Sequence, residues 1–275
     1  MSDGFMPTPA VLAEIEPMLA DNALFTFAPS TPMPVAPGQF YEISIPGVGS
    51  FPVSACDLVR EGRITSCIRR VGRVTSALYT LSPGSAVGLR GPFGRGFDLS
   101  LILTQPVLLI AGGLGMAPLR ALLKALLETP KRQAKTVLLY GARELSALLF
   151  RDELLELSRQ GRIDLRFSVD FAAALPDPAA GAVCRVGLVN QLLAGLDLVA
   201  AETVVVACGP PALYSCLLEG LAGMGFAPQR IFATLERRMR CGRGECCHCV
   251  VAGRYICREG PVFSLTQLRE MPGAL

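Results

Sequence analysis

Four cysteines near the carboxyl end, Cys241, Cys246, Cys249 and Cys257, follow the spacing C-x4-C-x2-C-x7-C within MRCGRGECCHCVVAGRYICREGPVF. Thiolates this close repel one another unless a metal neutralises them, and the C-x4-C-x2-C run is a spacing by which cysteines hold a [2Fe-2S] cluster. Gly242 and Gly244 let the backbone turn its amides toward cluster sulfides. A zinc ion held by four cysteines is the rival reading, because sulfur ligation suits zinc equally. Zinc ligands more often come as two close C-x-x-C pairs, and the x4 loop does not. Cys247 is read as a non-ligand beside Cys246, and His248, the one histidine, as an exposed loop residue.

A second concentration of chemistry lies upstream. In AGGLGMAPLR, Gly112, Gly113 and Gly115 follow the apolar run PVLLI and precede LRALLKALLE, with Met116 and Pro118 at the helix start. Such glycines permit a tight turn and close backbone approach, and the helix N-terminus behind them favours an anion such as a dinucleotide phosphate. A plain packing turn would use the same residues, and Pro118 suits either reading. A later strand, ETVVVACG, runs into CGPPAL, which carries Cys208, Gly209 and Pro210.

The elements that must position these residues divide in three. Residues 1–100 show short alternating segments punctuated by PGQF, IPGVGS, REGR and SPGS turns, which predicts an antiparallel β-barrel. Over 101–230 apolar runs alternate with helical patterns, the βαβ rhythm of a doubly wound parallel sheet. Residues 231–275 are too few to fold on hydrophobic burial, and a metal centre would supply what is missing. The predicted class is therefore multi-domain β plus α/β: an antiparallel barrel, a parallel-sheet nucleotide domain and a small C-terminal cluster segment.

Composition narrows the function. A chain of 275 residues with 51% hydrophobic content builds two cores readily, and a net charge of +3 is too small to point to nucleic acid. Mean hydropathy of +0.44 with 18% charged residues suggests apolar surface kept for partner subunits. The opening MSDGFMPTPA has no export pattern, and the apolar stretch 99–114 is broken by Gln105, Pro106, Gly112 and Gly113, so no membrane span is expected. Ten cysteines without an export pattern point to reduced thiols or metal ligands in the cytoplasm.

Taken in order, FPVSAC and GRVTSAL, then AGGLGMAPLR and CGPPAL, then the cysteine segment ending CREGPVF, the chain resembles the ferredoxin reductase-like family. The branch is the one with a C-terminal [2Fe-2S] segment: gamma subunits of cytosolic NiFe hydrogenases and sulfhydrogenases, the B subunit of anaerobic sulfite reductase, and the electron-transfer subunit of dihydroorotate dehydrogenase. The short spacer before Cys257 and the phrase ERRMRCGRGECCHC bring it nearer the first two.

The resemblance implies FAD, a [2Fe-2S] cluster ligated by Cys241, Cys246, Cys249 and Cys257, and NADP or NAD. It implies electron transfer for the catalytic and iron-sulfur subunits of a heteromeric redox complex, a NiFe hydrogenase before the other two. Flavin contacts would fall on Phe51, Pro52, Val53 and Ser54, the last reaching flavin N5, although the family's common arginine and tyrosine are missing from that motif. Ile68, Arg69 and Arg70 would follow the ribityl chain, and Gly72, Val74, Thr75 and Ser76 would cradle the pyrophosphate, or serve only as a helix cap. Cys208 would lie beside the hydride path, or be a small buried residue, and Glu236 would adjust proton uptake. Arg143, with Arg151 and Arg166 behind it, is a candidate for an NADP 2′-phosphate. From another class, a zinc-stabilised binding module remains.

Overall fold

The structure, a computed structural model, describes residues 6–172 and 181–275. Residues 1–5, on which the export reading partly rests, lie outside that range. The described chain falls into two compact units: Met1–Phe97 with Arg120–Ala125 and Glu236–Pro261, and Asp98–Leu119 with Leu126–Leu235 and Val262–Leu275.

In the first unit six strands form one antiparallel sheet: β1 (Thr8–Leu19), β2 (Asn22–Pro29), β3 (Phe40–Ile45), β4 (Gly49–Ser54), β5 (Ile64–Arg69) and β6 (Ala86–Phe93), with helix α1 (Arg73–Leu78) between β5 and β6. Their order is β4-β3-β6-β1-β2-β5. Alternation sets the faces. Phe25 and Phe27 of β2 are fully buried while Thr26 between them is not, and they meet Leu12, Tyr41, Ile43, Ile64, Leu78 and Leu89 in one core. The end strands β4 and β5 are tied by side chains, which makes the sheet barrel-like. Buried Tyr41 bonds Ser66 Oγ at 2.8 Å, and Ser66 Oγ donates to the Ser54 carbonyl at 2.8 Å. Burial pushes the Tyr41 hydroxyl pKa above its ordinary value.

The second unit begins with α2 (Leu99–Ile102) and continues β7 (Val107–Gly112), α3 (Met116–Glu128, whose Arg120–Ala125 stretch groups with the first unit), β8 (Thr136–Ala142), α4 (Arg151–Arg159), β9 (Asp164–Val169), β10 (Val183–Val186), β11 (Val204–Cys208), α5 (Pro211–Gly223) and β12 (Ile231–Thr234). The central strands read as unbroken apolar runs, VLLIA in β7 and VVVAC in β11, because both faces of a parallel sheet are covered. Sheet order is β10-β9-β8-β7-β11-β12-β15, where β15 is Val262–Ser264, parallel except for the last pair. The chain moves outward from β7 to β10 and returns to β11, so strand order reverses between β7 and β11.

Beyond β12 come the short hairpin β13 (Val250–Val251) and β14 (Arg254–Tyr255), then α6 (Ile256–Glu259), β15 (Val262–Ser264) and α7 (Leu265–Arg269). The cysteine segment groups with the first unit, while β15 pairs with β12 in the second. Among the described residues no helix is long and apolar enough to cross a membrane.

Within the first unit, two cations of the Arg120–Ala125 stretch pair with Asp57: Arg120 Nη1 at 3.1 Å and Lys124 Nζ at 2.5 Å. Burial pushes the Asp57 pKa up, but the Lys124 bond and the charges of Arg120 and Lys124 outweigh it and hold the carboxyl below its usual range. Asp57 therefore adds stability above its unfolded pKa of about 3.9, and that contribution disappears as pH falls through the lower folded value. Asp57→Asn is expected to cost on the order of 3 kcal/mol at neutral pH by leaving two largely buried cations without their carboxylate. Urea unfolding at pH 7 and pH 3 checks this: the difference between parent and variant should shrink at the lower pH.

Candidate functional site

Three clusters of candidate residues emerge, two in the first unit and one in the second. In the cysteine loop Cys241, Cys249 and Cys257 are buried, Cys246 is half-buried, and Cys247 and His248 are exposed. The backbone amides of Arg243, Glu245 and Cys246 each donate to Cys241 Sγ at 3.4 Å. Gly242 makes this turn at φ +70°, and a Cβ there would stand 2.7 Å from the Phe93 ring, so the loop seats against β6 only with glycine. Arg90 Nη2 adds a bond to the Arg240 carbonyl at 2.7 Å.

Cys246 interacts with Cys241, and Cys257 with Cys249. The His248 backbone amide, followed by contacts to Cys241, draws the Cys246 thiol down to about 7, toward the thiolate that binds iron. Burial, reinforced by Cys249, pushes Cys257 up to about 12. Among the described residues no three His, Cys, Asp or Glu side chains are gathered to hold one metal ion. What the loop offers is two thiol pairs with amides aimed at sulfur, and that donor set fits two adjacent irons.

The flavin motif occupies β4. Phe51, Val53 and Ser54 are half-buried and Pro52 is exposed. Ser54 is fixed through its carbonyl by Ser66. Ile68 is a core residue at 3% exposure, so of the stretch that was to follow the ribityl chain only Arg69 and Arg70 reach the surface. Arg69 is ion-paired with Asp21 at 2.7 Å, and the Arg70 guanidinium lies 5.9 Å from the Tyr79 ring centre. Around α1, Gly72 is the residue before the helix, and Thr75 Oγ1 accepts from the amides of Val71 and Gly72 at 3.0 Å each. That hydroxyl is engaged in capping; Val74 and Ser76 are half-buried.

The flavin motif and the cysteine loop converge through one residue. Phe40 of β3 is the register partner of Ser54 on one side and of Phe93 on the other, with the Phe40 and Phe93 rings 5.6 Å apart. Gly242 packs against the tip of the Phe93 ring. At a strand spacing of about 4.8 Å, two strands place Ser54 and Phe93 roughly 10 Å apart.

In the second unit the glycine turn and CGPPAL meet where strand order reverses. Cys208 pairs with Ala111, and a Cβ on Gly115 would overlap the Cys208 carbonyl. A Cβ on Gly112 would stand 3.1 Å from Pro210 and one on Gly209 3.2 Å from the Gly112 backbone, so glycine at these positions lets two main chains touch. Tyr140 of β8 holds the turn, donating to the Gly113 carbonyl at 3.1 Å. Met116 is fully buried and Pro118 sits in the first turn of α3. A crevice outside the carboxyl ends of parallel strands, at the point of reversal, is where open α/β sheets bind nucleotides.

Other residues in these clusters carry no sequence mark. Thr234 Oγ1 donates to Cys208 Sγ at 3.4 Å, and the Tyr214 hydroxyl accepts from the Gly209 amide at 3.1 Å and donates to the Thr234 carbonyl at 2.8 Å. Only the strand pairing brings them together. Arg143 is exposed just after β8, followed by exposed Glu144. Arg166 is instead held by the carbonyls of Leu192, Ala194 and Gly195. Arg151 opens α4, and Glu236 is exposed just beyond β12.

Comparison with known proteins matches residues 109–218 to the oxidoreductase NAD-binding domain and residues 236–269 to the iron-sulfur cluster binding domain of dihydroorotate dehydrogenase B. The sulfhydrogenase 2 gamma subunit of Pyrococcus furiosus is 40% identical over 240 residues, covering 83% of this chain and 82% of that one. The chain belongs to this family of electron-transfer subunits. A second branch of the family is represented by the probable dihydroorotate dehydrogenase B (NAD(+)) electron transfer subunit of Thermoplasma acidophilum, 32% identical over 86% of this chain and 82% of its own length. In fold the chain is ferredoxin reductase-like. It superposes with a TM-score of 0.73 on a chain of an NADH-dependent reduced ferredoxin-NADP oxidoreductase, at 23% identity, over 98% of this chain and 91% of that one. The cytochrome b5 reductase domain of Ulva prolifera nitrate reductase gives 0.64 at 22% identity, over 80% and 94%. Family membership makes the chain an NAD(P)H-linked oxidoreductase subunit that carries an iron-sulfur domain and serves a partner polypeptide.

Proposed function

We propose that this chain binds FAD in its first unit and a nicotinamide dinucleotide in its second. It passes electrons between them and a [2Fe-2S] cluster on Cys241, Cys246, Cys249 and Cys257, on behalf of a cytosolic NiFe hydrogenase of the sulfhydrogenase type. The observation that carries this reading is the register of Phe40, which sets the flavin motif and the cysteine loop on one end of one unit. Bound flavin supplies the step that matches a two-electron hydride donor to a one-electron cluster. The chain's own residues do the rest. Phe51 to Ser54 flank the flavin ring, with the Ser54 backbone held by Ser66. Gly112, Gly113 and Gly115 admit the dinucleotide phosphates, while Cys208, buried at 1% exposure and bonded by Thr234, backs the nicotinamide end. Glu236, exposed just before the cysteine loop, is the acidic side chain assigned to the flavin's proton uptake. All ten cysteines are free, which suits the reducing cytoplasm.

The higher identity to the sulfhydrogenase subunit, 40% against 32%, favours that partner over a dihydroorotate dehydrogenase. Anaerobic purification of the chain from its own cells, together with whatever subunits stay bound to it, tests the reading. FAD absorption, about two irons per chain, an electron paramagnetic resonance signal after reduction and a nickel-containing partner are expected; a colourless, zinc-containing protein would overturn it. Arg143 bears on the choice of dinucleotide. Arg143→Ala is expected to lower kcat/KM for NADPH by about 10-fold or more and to spare NADH, as loss of a 2′-phosphate contact requires. Equal effects on both dinucleotides would remove Arg143 from that role.

A further inference from the structure

The cysteine segment holds the chain's entire charge imbalance. Residues 236–261 contain six arginines and three glutamates and no lysine or aspartate, an excess equal to the +3 of the whole chain. Two of the glutamates are already taken: Glu245 pairs with Arg243 at 3.6 Å, and Glu259 with Arg254 at 3.6 Å. Arg238, Arg240 and Arg258 are exposed and make no ion pair among the described residues. Their backbone positions are fixed around the thiols. Arg240 precedes Cys241 and its carbonyl is bonded by Arg90, Arg258 follows Cys257 and its side chain lies over Gly244, and exposed Arg95 donates its amide to the Gly260 carbonyl at 2.5 Å. Like charges held close together cost folding energy unless opposite charge is brought to them, and exposed arginines leave that place open to a partner.

We propose that Arg95, Arg238, Arg240 and Arg258 form a basic collar around the cysteine loop that docks the acidic face of an electron-accepting protein. The proposal rests on the electron-transfer reading above and names the surface and partner chemistry of its exit. Exposed guanidinium groups offer rigid, bidentate donors to carboxylates and raise association rates by steering, while short-range packing completes the contact. A partner carrying aspartates and glutamates around its own redox centre is drawn in with that centre facing the loop. Each NAD(P)H oxidised to NAD(P)+ and H+ then reduces two equivalents of a one-electron acceptor.

Two acceptor proteins of opposite charge test this with the intact holoprotein: acidic plastocyanin and basic cytochrome c, both high-potential one-electron acceptors. Plastocyanin reduction is expected to slow about 10-fold or more between 10 mM and 300 mM salt, while cytochrome c reduction holds or rises. Calorimetric binding of oxidised plastocyanin, which needs no turnover, should weaken in parallel. The triple variant Arg238→Glu, Arg240→Glu, Arg258→Glu should invert the preference at unchanged iron content and unchanged rate with a neutral quinone. The triple variant Lys131→Glu, Arg162→Glu, Arg185→Glu, at exposed positions of the second unit, matches that change in net charge and controls for it. Loss of quinone activity in the parent chain would overturn the electron-transfer reading itself. Normal quinone activity with no salt dependence toward plastocyanin, or equal binding of both acceptors, would overturn only the collar.

Discussion

Gly115→Ala is expected to lower NAD(P)H oxidation by about 100-fold while leaving flavin and iron content intact. A methyl group on Gly115 would overlap the Cys208 carbonyl and lie 2.8 Å from the Gly209 nitrogen, both backbone atoms that no rotamer change can move. Those atoms are anchored, since Cys208 is paired to Ala111 in the sheet and Gly209 donates its amide to Tyr214. The clash is relieved only by parting the two turns, at an overpacking cost of about 1–3 kcal/mol. A displacement on the order of 1 Å is enough to lose the reactive geometry of a bound substrate. Gly113→Ala supplies the contrast. Its φ of +52° disfavours alanine mildly and its Cβ would meet nothing within 4 Å, so a loss of only a few-fold is expected. Dinucleotide affinity by calorimetry, with melting temperature beside it, separates the two. A Gly115→Ala protein that binds NAD(P)H like the parent would mean that the crevice is not the dinucleotide site.

The contrast also shows which features sequence can reveal. Continuous runs such as VLLIA and VVVAC announce buried parallel strands because both their faces need apolar cover, and C-x4-C-x2-C announces a metal centre because crowded thiolates have few other uses. These features are local, and the fold class and the iron-sulfur domain follow from them. Contacts made by pairing are different in kind. Nothing in the spacing of Thr234, Tyr214 and Cys208 says that strand β12 lies beside β11, and that adjacency alone puts a hydroxyl on the Cys208 sulfur. Phe40 looks like one more core aromatic until the register sets it between Ser54 and Phe93. Polar side chains are ambiguous in sequence for a related reason. Thr75 and Arg166 read as ligand-binding groups or as partners of their own backbone in one dimension, and the structure shows the backbone bonds they make. The break after Pro261 is also invisible in sequence, since it depends on β15 finding β12.

Cys249→Ala is expected to remove the iron and with it all transfer to one-electron acceptor proteins, a loss of at least about 100-fold, while two-electron reduction of a quinone persists. Cys249 is 2% exposed and its neighbour Cys257 1%, so the variant leaves a thiol buried beside a void, with one iron short of a ligand. The structural consequence should be as large as the chemical one. Between Cys241 and Cys257 the only regular elements are two two-residue strands and the start of a four-residue helix, too little to hold the segment by its own packing. Metal coordination is then the main folding energy of the loop, and without it Arg238, Arg240 and Arg243 become open to trypsin. Cys247→Ala is the matched control. Cys247 is exposed, its sulfur lies 3.6 Å from the Tyr255 hydroxyl, and its replacement should leave iron content and protease resistance unchanged. Iron and acid-labile sulfide assays, followed by limited proteolysis, decide between the outcomes. Should Cys247→Ala lose the iron and Cys249→Ala keep it, the ligand set is wrong. Should Cys249→Ala lose the metal but keep its rate with plastocyanin, electrons leave from the flavin directly, and the loop has only a structural role.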